Sequence, residues 1–213
     1  MGNNTEATVL IDLVHFPVTA LGPGVRSGIW FQGCRARCKG CIATHAQPFD
    51  QSKRIPVSEV LRLTGIHAAL GAEGLTVSGG EPFDQPAALR EILNGARRQA
   101  FTDILIYSRY RIEDLIRKFP WIREFADAVV DGEFQAGNAS LSHWKGSGNQ
   151  RMCLVTRDRD LRRKYREYCA KVPVRRSLQV IRKNDRVYVL GIPDQKDAER
   201  IHSELLQNLS MLR

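Results

Sequence analysis

The chain has 213 residues, 43% of them hydrophobic and 26% charged, a composition typical of one globular domain with at most a small appendage. No apolar run approaches the roughly 20 residues that a membrane span needs, and the polar N-terminus lacks a secretion signal, so we expect a cytoplasmic protein without a membrane partner. The five cysteines are an odd number, and three of them lie between positions 34 and 41. This argues against a disulfide framework and for a metal in a reducing compartment.

The net charge of +9 is concentrated in the last third of the chain. Residues 1–150 have 16 basic and 15 acidic side chains, whereas residues 151–213 have 16 basic and 8 acidic ones. Such a basic surface is either a solvated face or a docking site for an acidic protein or a nucleic acid.

Two strands are predicted before the cysteines, at residues 9–14 and, after a turn rich in glycine, at residues 25–31. The sequence Cys34-Arg35-Ala36-Arg37-Cys38-Lys39-Gly40-Cys41 leaves the carboxyl end of the second strand. We call residues 34–41 the cysteine loop.

The cysteine loop has the spacing C-x3-C-x2-C, and thiolates this close select an iron–sulfur cluster or zinc. A 4Fe–4S cube needs four ligands, so three cysteines leave one iron open to a ligand that is not protein. The alternative is a zinc site of the three cysteines and His45. Cys153 and Cys169 are too few for a second cluster, and we expect them to be buried thiols.

A helix is predicted at residues 56–70, capped by Ser58, and a strand at residues 75–78. The strand runs into Gly79-Gly80-Glu81-Pro82. Two residues without Cβ at a strand end let the backbone approach a ligand closely. The turn supplies the carbonyl and carboxylate acceptors that an amine requires.

The later elements continue the alternation of strand and helix. They are, in order, a helix capped by Asp84 with Pro86 in its first turn, a strand at 104–107, a helix at 112–125 broken at Pro120, and a strand at 128–131. This alternation predicts an α/β fold with a parallel sheet, in which ligand-binding residues cluster at the carboxyl ends of the strands. On this interpretation the strand ends carry Cys34, Gly79, Ser108 and Asp131.

The polar segment at residues 144–151 contains Asn149 and Gln150, whose amides suit the hydroxyls or the carboxylate of a bound cofactor. The remaining predicted elements are a strand at 152–155, a basic helix at 158–170, a β-hairpin with strands at 178–181 and 187–190, and a helix from Asp194 to about residue 209. We therefore divide the chain into a domain at 1–156 and a basic α+β extension at 157–213.

The cysteine spacing resembles the defining motif of the radical S-adenosylmethionine superfamily. Gly79-Gly80-Glu81 is similar to the superfamily motif that contacts the amino group of S-adenosylmethionine. Three further segments, at residues 22–34, 131–134 and 144–151, resemble the glycyl-radical activating enzymes, above all the activase of anaerobic ribonucleotide reductase. Arg109 and Glu133 depart from the activase pattern, which tends to have glycine at the first position and, in some members, lysine at the second.

The resemblance implies a partial (β/α) barrel with one 4Fe–4S cluster on Cys34, Cys38 and Cys41 and with S-adenosylmethionine as cofactor. The further residues that it implies for the cofactor site are Gly79, Gly80, Glu81, Ser108, Asp131 and Asn149. The implied chemistry is reductive cleavage of S-adenosylmethionine to a 5′-deoxyadenosyl radical, which abstracts a glycine Cα hydrogen from a glycyl radical enzyme. Flavodoxin or ferredoxin is the implied electron donor, and the cationic side chains of the cysteine loop would suit an acidic one.

Two other functions are left open by the sequence. The first is a radical S-adenosylmethionine enzyme that abstracts hydrogen directly from a small molecule, nucleotide or peptide, with the extension closing over the substrate. The second is a zinc-stabilised protein that binds nucleic acid through its basic C-terminal third. We favour the activating enzyme and do not expect a nucleic-acid partner.

Overall fold

The structure, a computed structural model, describes residues 6–173, 176–183 and 186–194 together with Asp197 and Arg200. Its strands in the described part of the chain are β1 Thr8–Val18, β2 Arg26–Phe31, β3 Arg54–Pro56, β4 Gly74–Gly79, β5 Ile104–Ser108, β6 Ala128–Asp131, β7 Arg151–Leu154, β8 Leu178–Lys183 and β9 Arg186–Gly191. The first seven form one sheet in the order β3-β1-β2-β4-β5-β6-β7, and β8 and β9 form a separate hairpin.

The helices connect the strands at the positions that the sequence pattern predicts. They are α1 Val57–Ala69, α2 Pro86–Arg98, α3 Ile112–Lys118, α4 Ile122–Phe125 and α5 Arg159–Ala170. The predicted break at Pro120 is present as the gap between α3 and α4. In the described part of the chain, no helix is long and apolar enough to cross a membrane.

The centre of the sheet is parallel and its flanks are antiparallel. Strands β2, β4, β5 and β6 pair in parallel, in agreement with the predicted strand–helix alternation. Strand β1 is antiparallel to both β2 and β3, and β7 is antiparallel to β6. These antiparallel pairs and the short strand β3 were not predicted. The closure of this sheet into a partial barrel stays a prediction.

The two faces of the sheet are covered by different parts of the chain. Helices α1 to α4 pack on one face, where the buried core includes Ile29, Val77, Ile92, Ile106 and Val129. On the other face α5 places Tyr165 against Leu105 and Val130, and the hairpin places Leu190 against Leu13. The predicted boundary at residue 156 stays a prediction, and α5 shares a core with the sheet.

A buried ionic network joins α5 to the sheet. Arg26 and Tyr165 are both fully buried, and the Arg26 guanidinium forms two hydrogen bonds to the Asp103 carboxylate at 2.8 and 3.0 Å. The Tyr165 hydroxyl donates to Asp103 Oδ1 at 2.6 Å, and Arg26 Nε donates to Thr76 Oγ1 at 2.7 Å. Because every charged group here has a partner, the polar cluster is compatible with its burial.

Two predicted helix caps are wrong. Pro56 occupies the N-cap position of α1, and the Ser58 hydroxyl contacts Glu6. Gln85 occupies the N-cap position of α2, and the Asp84 carboxylate instead accepts hydrogen bonds from the Arg35 amide and the Tyr110 hydroxyl. The predicted final helix at 194–209 falls largely outside the described residues, although Asp194 Oδ1 accepts a hydrogen bond from the Asp197 amide at 2.8 Å.

Candidate iron–sulfur site

The cysteine loop is anchored where β2 ends. The Gly33 amide donates to the Ala46 carbonyl at 2.7 Å, and the Cys34 amide donates to the Gln47 carbonyl at 2.9 Å. Within the loop, Arg37 and Gly40 have positive φ angles of 49° and 74°. Glycine takes such angles without strain, so Gly40 suits the turn that leads to Cys41.

The glycine pair after β4 packs against the base of the cysteine loop. A Cβ at Gly80 would lie 2.2 Å from the Gly33 carbonyl oxygen, and a Cβ at Gly79 would lie 2.4 Å from the Phe31 amide nitrogen. The Gly80 amide donates to the Phe31 carbonyl at 2.7 Å, and the Glu81 amide donates to the Gly33 carbonyl at 2.9 Å. The close approach that these glycines permit in the structure is therefore to the loop backbone, and their contact with a ligand stays a prediction.

Glu81 is buried at the end of β4 and joins it to the end of β5. Its carboxylate accepts hydrogen bonds from the Ser108 hydroxyl at 2.9 Å, the Arg109 amide at 2.8 Å and the Phe83 amide at 3.0 Å. Burial raises the pKa of Glu81 to about 7. The three hydrogen-bond donors favour the ionised form and lower the pKa, but their effect is smaller than that of burial. Glu81 thus fixes the relative position of the two strand ends.

Asp84 connects the cysteine loop to the segment after β5. Its carboxylate accepts from the Arg35 amide at 2.8 Å and from the Tyr110 hydroxyl at 2.9 Å. The Arg109 guanidinium lies 4.8 Å from the centre of the Tyr110 ring. One carboxylate therefore holds the loop in place from the side, a role that the sequence pattern did not indicate.

Two thiols of the loop, those of Cys34 and Cys38, are in surroundings that disfavour a bare thiolate. Burial raises the pKa of Cys34, and the carboxylates of Glu81 and Asp84 act in the same direction. Burial also raises the pKa of Cys38, whose sulfur lies 3.6 Å from Glu133 Oε1. Bound metal stabilises thiolates that the protein alone leaves protonated, so this donor set fits a cationic metal centre.

The three cysteines of the loop open onto one cavity of about 140 Å³. Its remaining lining comes from the loop, the strand ends and the polar segment: Ala36, Ala43, Gln47, Ser78, Gly79, Gly80, Glu81, Tyr107, Ser108, Arg109, Gly132, Phe134 and Gln150. The structure thus brings together four of the six predicted cofactor residues, Gly79, Gly80, Glu81 and Ser108, with the three cysteines.

The other two predicted cofactor residues do not line this cavity. Asp131 is buried and accepts hydrogen bonds from Arg151 Nε at 3.0 Å and from the Ile112 amide at 2.9 Å. Asn149 donates to the Glu133 carbonyl at 2.8 Å and accepts from Ser147. Both side chains are engaged elsewhere in the structure, and their role at the cofactor stays a prediction.

Arg109 and Gln150 line the cavity, although neither is among the residues that the resemblance implies for the cofactor site. The Arg109 Nε is buried without a hydrogen-bond partner in the described part of the chain. The signal for Arg109 was present in the sequence as its position directly after Ser108, at a strand end. The polar segment does not distinguish Gln150 from its neighbour Asn149, because a polar run does not reveal which side chain faces inward.

His45, the fourth ligand of the zinc alternative, pairs with Asp12. Its Nε2 lies 3.2 Å from Asp12 Oδ2. Among the residues that the structure describes, no three His, Cys, Asp or Glu side chains lie close enough together to hold a single metal ion. A cluster does not require this, because its thiolates bind different irons.

The three-thiol donor set is compatible with an iron–sulfur cluster, and the comparison with known families agrees. The chain belongs to the family described as a 4Fe-4S single cluster domain, which matches residues 20–153. The predicted 4Fe–4S cluster is thereby confirmed at the level of the family, while its assignment to the three loop cysteines stays a prediction.

The chain is also similar to anaerobic ribonucleoside-triphosphate reductase-activating proteins. It is 27% identical to the one from Enterobacteria phage T4 over 135 residues, which cover 62% of this chain and 85% of that protein. It is 27% identical to the one from Haemophilus influenzae over 65% of this chain and 94% of that protein. For the protein from Escherichia coli K12 the identity is 28%, over 64% of this chain and 93% of that protein.

Proposed function

We propose that this protein is a radical S-adenosylmethionine enzyme that installs a glycyl radical on a partner of the anaerobic ribonucleotide reductase kind. The observation that carries the proposal is the shared cavity of the three loop cysteines and the Gly79-Gly80-Glu81 strand end. The relatives named as activators of that reductase support the choice of partner. The partial barrel, expected from the resemblance, belongs to the same proposal.

In this proposal Cys34, Cys38 and Cys41 would hold the cluster, and S-adenosylmethionine would bind at the coordination site that three protein ligands leave open. The donor chemistry of the cavity supports this, since thiolate is the ligand that iron–sulfur clusters take. When bound there, the reduced cluster would supply the electron that cleaves S-adenosylmethionine and so starts hydrogen abstraction from the partner glycine.

The residues of the chain position the reactants and take no proton. Glu81 and Asp84 fix the strand ends and the loop through the hydrogen bonds given above. Hydrogen-atom abstraction needs a positioned C–H bond in a site that excludes water, so no general base is assigned.

Electron delivery would take place at the outer side of the cysteine loop. Arg35, Arg37 and Lys39 are exposed there and alternate with the half-buried Ala36 and Cys38. Three exposed cations next to the cluster suit an acidic electron donor such as flavodoxin or ferredoxin.

The proposal is tested by electron paramagnetic resonance of the partner. The reduced, cluster-containing protein is incubated anaerobically with S-adenosylmethionine and an anaerobic ribonucleotide reductase, and we expect a glycyl-radical signal on the reductase. Cys38→Ala should abolish the signal, whereas Cys153→Ala, which alters a half-buried thiol outside the cavity, should retain it. Cleavage of S-adenosylmethionine without any signal on the partner would instead favour direct action on a smaller substrate.

A further inference from the structure

A second cavity, of about 260 Å³, lies between the edge of the sheet and the β8–β9 hairpin. We call it the basic groove, and its lining residues are Ile11, Asp12, Leu13, Val14, Lys53, Ile55, Leu63, Lys183, Arg186 and Tyr188. It shares no lining residue with the cavity of the cysteines. Its volume is slightly below the roughly 300–1,000 Å³ typical of small-molecule sites.

The β8–β9 hairpin forms one side of this groove because it packs against β1. The Lys183 ammonium donates to the Val14 carbonyl at 3.0 Å, and the Gln179 side chain accepts from the Thr19 amide at 2.7 Å. Leu190 is buried against Leu13 in the same contact. One wall of the groove is therefore supplied by the extension.

The charges in the groove do not cancel. Lys53, Lys183 and Arg186 contribute three positive charges and Asp12 one negative charge, which leaves a net charge of +2. The buried Asp12 carboxylate lies 2.9 Å from the Lys53 ammonium, so it neutralises that cation. Among the described residues, Arg186 has no carboxylate within ion-pair distance.

The floor of the groove is its small apolar part. Half-buried Ile55 and Leu63 contribute aliphatic side chains there and half-buried Tyr188 contributes a ring, whereas Ile11, Leu13 and Val14 are almost fully buried. Cations at the rim of a concave aliphatic surface complement a molecule with a charged end and an apolar body. A simple inorganic anion would use only the rim, and a neutral apolar molecule only the floor.

We infer that the basic groove binds a small organic anion, a carboxylate or phosphate group carried by an apolar body. Arg186 and Lys183 hold the anionic group, and the aliphatic floor covers the body. Asp12 opposes binding because it engages Lys53 and repels the ligand. The concave shape favours a small molecule over an extended acidic segment of another protein, which would need a longer charged surface.

The test is isothermal titration calorimetry on the anaerobically purified, cluster-containing protein with simple probes. Phenyl phosphate and benzoate represent the two possible anionic groups, benzyl alcohol is the neutral analogue, and inorganic phosphate lacks the apolar body. We expect both aromatic anions to bind, and to bind more tightly than either control. The stronger of the two identifies the anionic group.

Matched variants locate the site. Arg186→Ala should weaken the binding of the preferred anion roughly threefold to tenfold, which is the loss expected for one charge-assisted contact at a partly exposed site. Arg166→Ala removes the same charge from an exposed position on α5 and should leave affinity unchanged. Asp12→Asn keeps the side-chain shape and should strengthen binding by a similar factor, because it frees Lys53.

Three kinds of result would overturn the inference. The first is equal weakening by Arg186→Ala and Arg166→Ala, or affinity for inorganic phosphate equal to that for phenyl phosphate, either of which means a non-specific charge effect. The second is unchanged or weaker binding in Asp12→Asn. The third is a protein that binds polyglutamate but neither phenyl phosphate nor benzoate, and that loses the binding of polyglutamate in Arg186→Ala. This result would assign the groove to a protein partner.

Discussion

The Ser108 hydroxyl donates a hydrogen bond to the Glu81 carboxylate at 2.9 Å, and this contact joins the carboxyl ends of two neighbouring parallel strands. The Glu81 amide in turn donates to the Gly33 carbonyl at the start of the cysteine loop. The loop and the strand ends around the cavity are thus one hydrogen-bonded unit. A change at any of its contacts is expected to alter the loop that holds the thiols.

Gly80→Ala should displace the cysteine loop, because the added Cβ would lie 2.2 Å from the Gly33 carbonyl oxygen. We expect a loss of roughly 1–3 kcal/mol in the free energy of unfolding and less iron per chain after reconstitution. Gly65→Ala on α1 is the control, since its Cβ would meet no backbone and only the end of the Gln99 side chain, at 3.3 Å. It should change stability by at most about 1 kcal/mol. Equal iron content in the Gly80 variant and the wild type would contradict the packing argument.

The cysteines should divide into two groups by their effect on the cluster. Alanine at Cys34, Cys38 or Cys41 should strongly reduce bound iron and labile sulfide, because each removes a proposed ligand. Alanine at Cys153 or Cys169 should not, since these thiols lie outside the cavity and burial raises the pKa of each to about 11. Iron and sulfide analysis of anaerobic preparations makes the comparison. Cluster loss on replacing Cys153 would refute the assignment.

Arg26 is expected to be essential for stability rather than for chemistry. Arg26→Met removes the buried ion-pair partner of the Asp103 carboxylate, leaves only the Lys164 ammonium at 3.2 Å as a counter-charge, and should cost about 3–5 kcal/mol in denaturant unfolding. Tyr165→Phe removes one hydrogen bond to the same carboxylate and should cost about 1–2 kcal/mol. The exposed Arg166→Ala should stay within about 0.5 kcal/mol of the wild type. Comparable losses in all three variants would argue against a special role for the network.

His67 should make stability depend on pH near neutrality. Burial lowers its pKa below the usual 6.5, so the unfolded chain binds the proton more readily than the folded one. The stabilisation from neutral His67 is therefore fully present above about pH 6.5 and is lost as the pH falls through the lower, folded-state pKa. Urea unfolding of the wild type and His67→Gln between pH 7.5 and 5 should show a smaller loss at low pH in the variant.

The wild type and His67→Gln must be compared because the titration of Glu81 changes stability with pH in the opposite direction. Burial raises its pKa to about 7, so its protonation adds stability as the pH falls through that value. Glu81 is common to both proteins and its contribution cancels in the difference. Identical pH profiles for the wild type and His67→Gln would contradict the prediction for His67.

The order of strands and helices and the cysteine loop could be predicted because they depend on local pattern. Apolar runs separated by glycine-rich turns located β2, β4, β5 and β6, and thiol spacing located the loop. The short strand β3 could not be predicted, since it exists only through its pairing with β1, and its three residues carry no periodic signal.

The contacts of polar side chains at the site could not be predicted for a related reason. The sequence pattern predicts that Asp84 caps a helix, but its partners Arg35 and Tyr110 lie 49 and 26 residues away in the chain. Arg26 would be expected at the surface, yet it is buried because Asp103, 77 residues later, neutralises it. Local pattern cannot indicate pairs that only the tertiary fold brings together.

The most direct test of the account is the formation of 5′-deoxyadenosine by the reduced, reconstituted protein under anaerobic conditions after addition of S-adenosylmethionine. Chromatography should detect this product with the wild type and with Cys153→Ala, but not with Cys38→Ala. That result would establish reductive cleavage at the proposed cluster ligands. Absence of the product from wild-type protein whose cluster is intact and reduced would contradict the proposed use of the open iron.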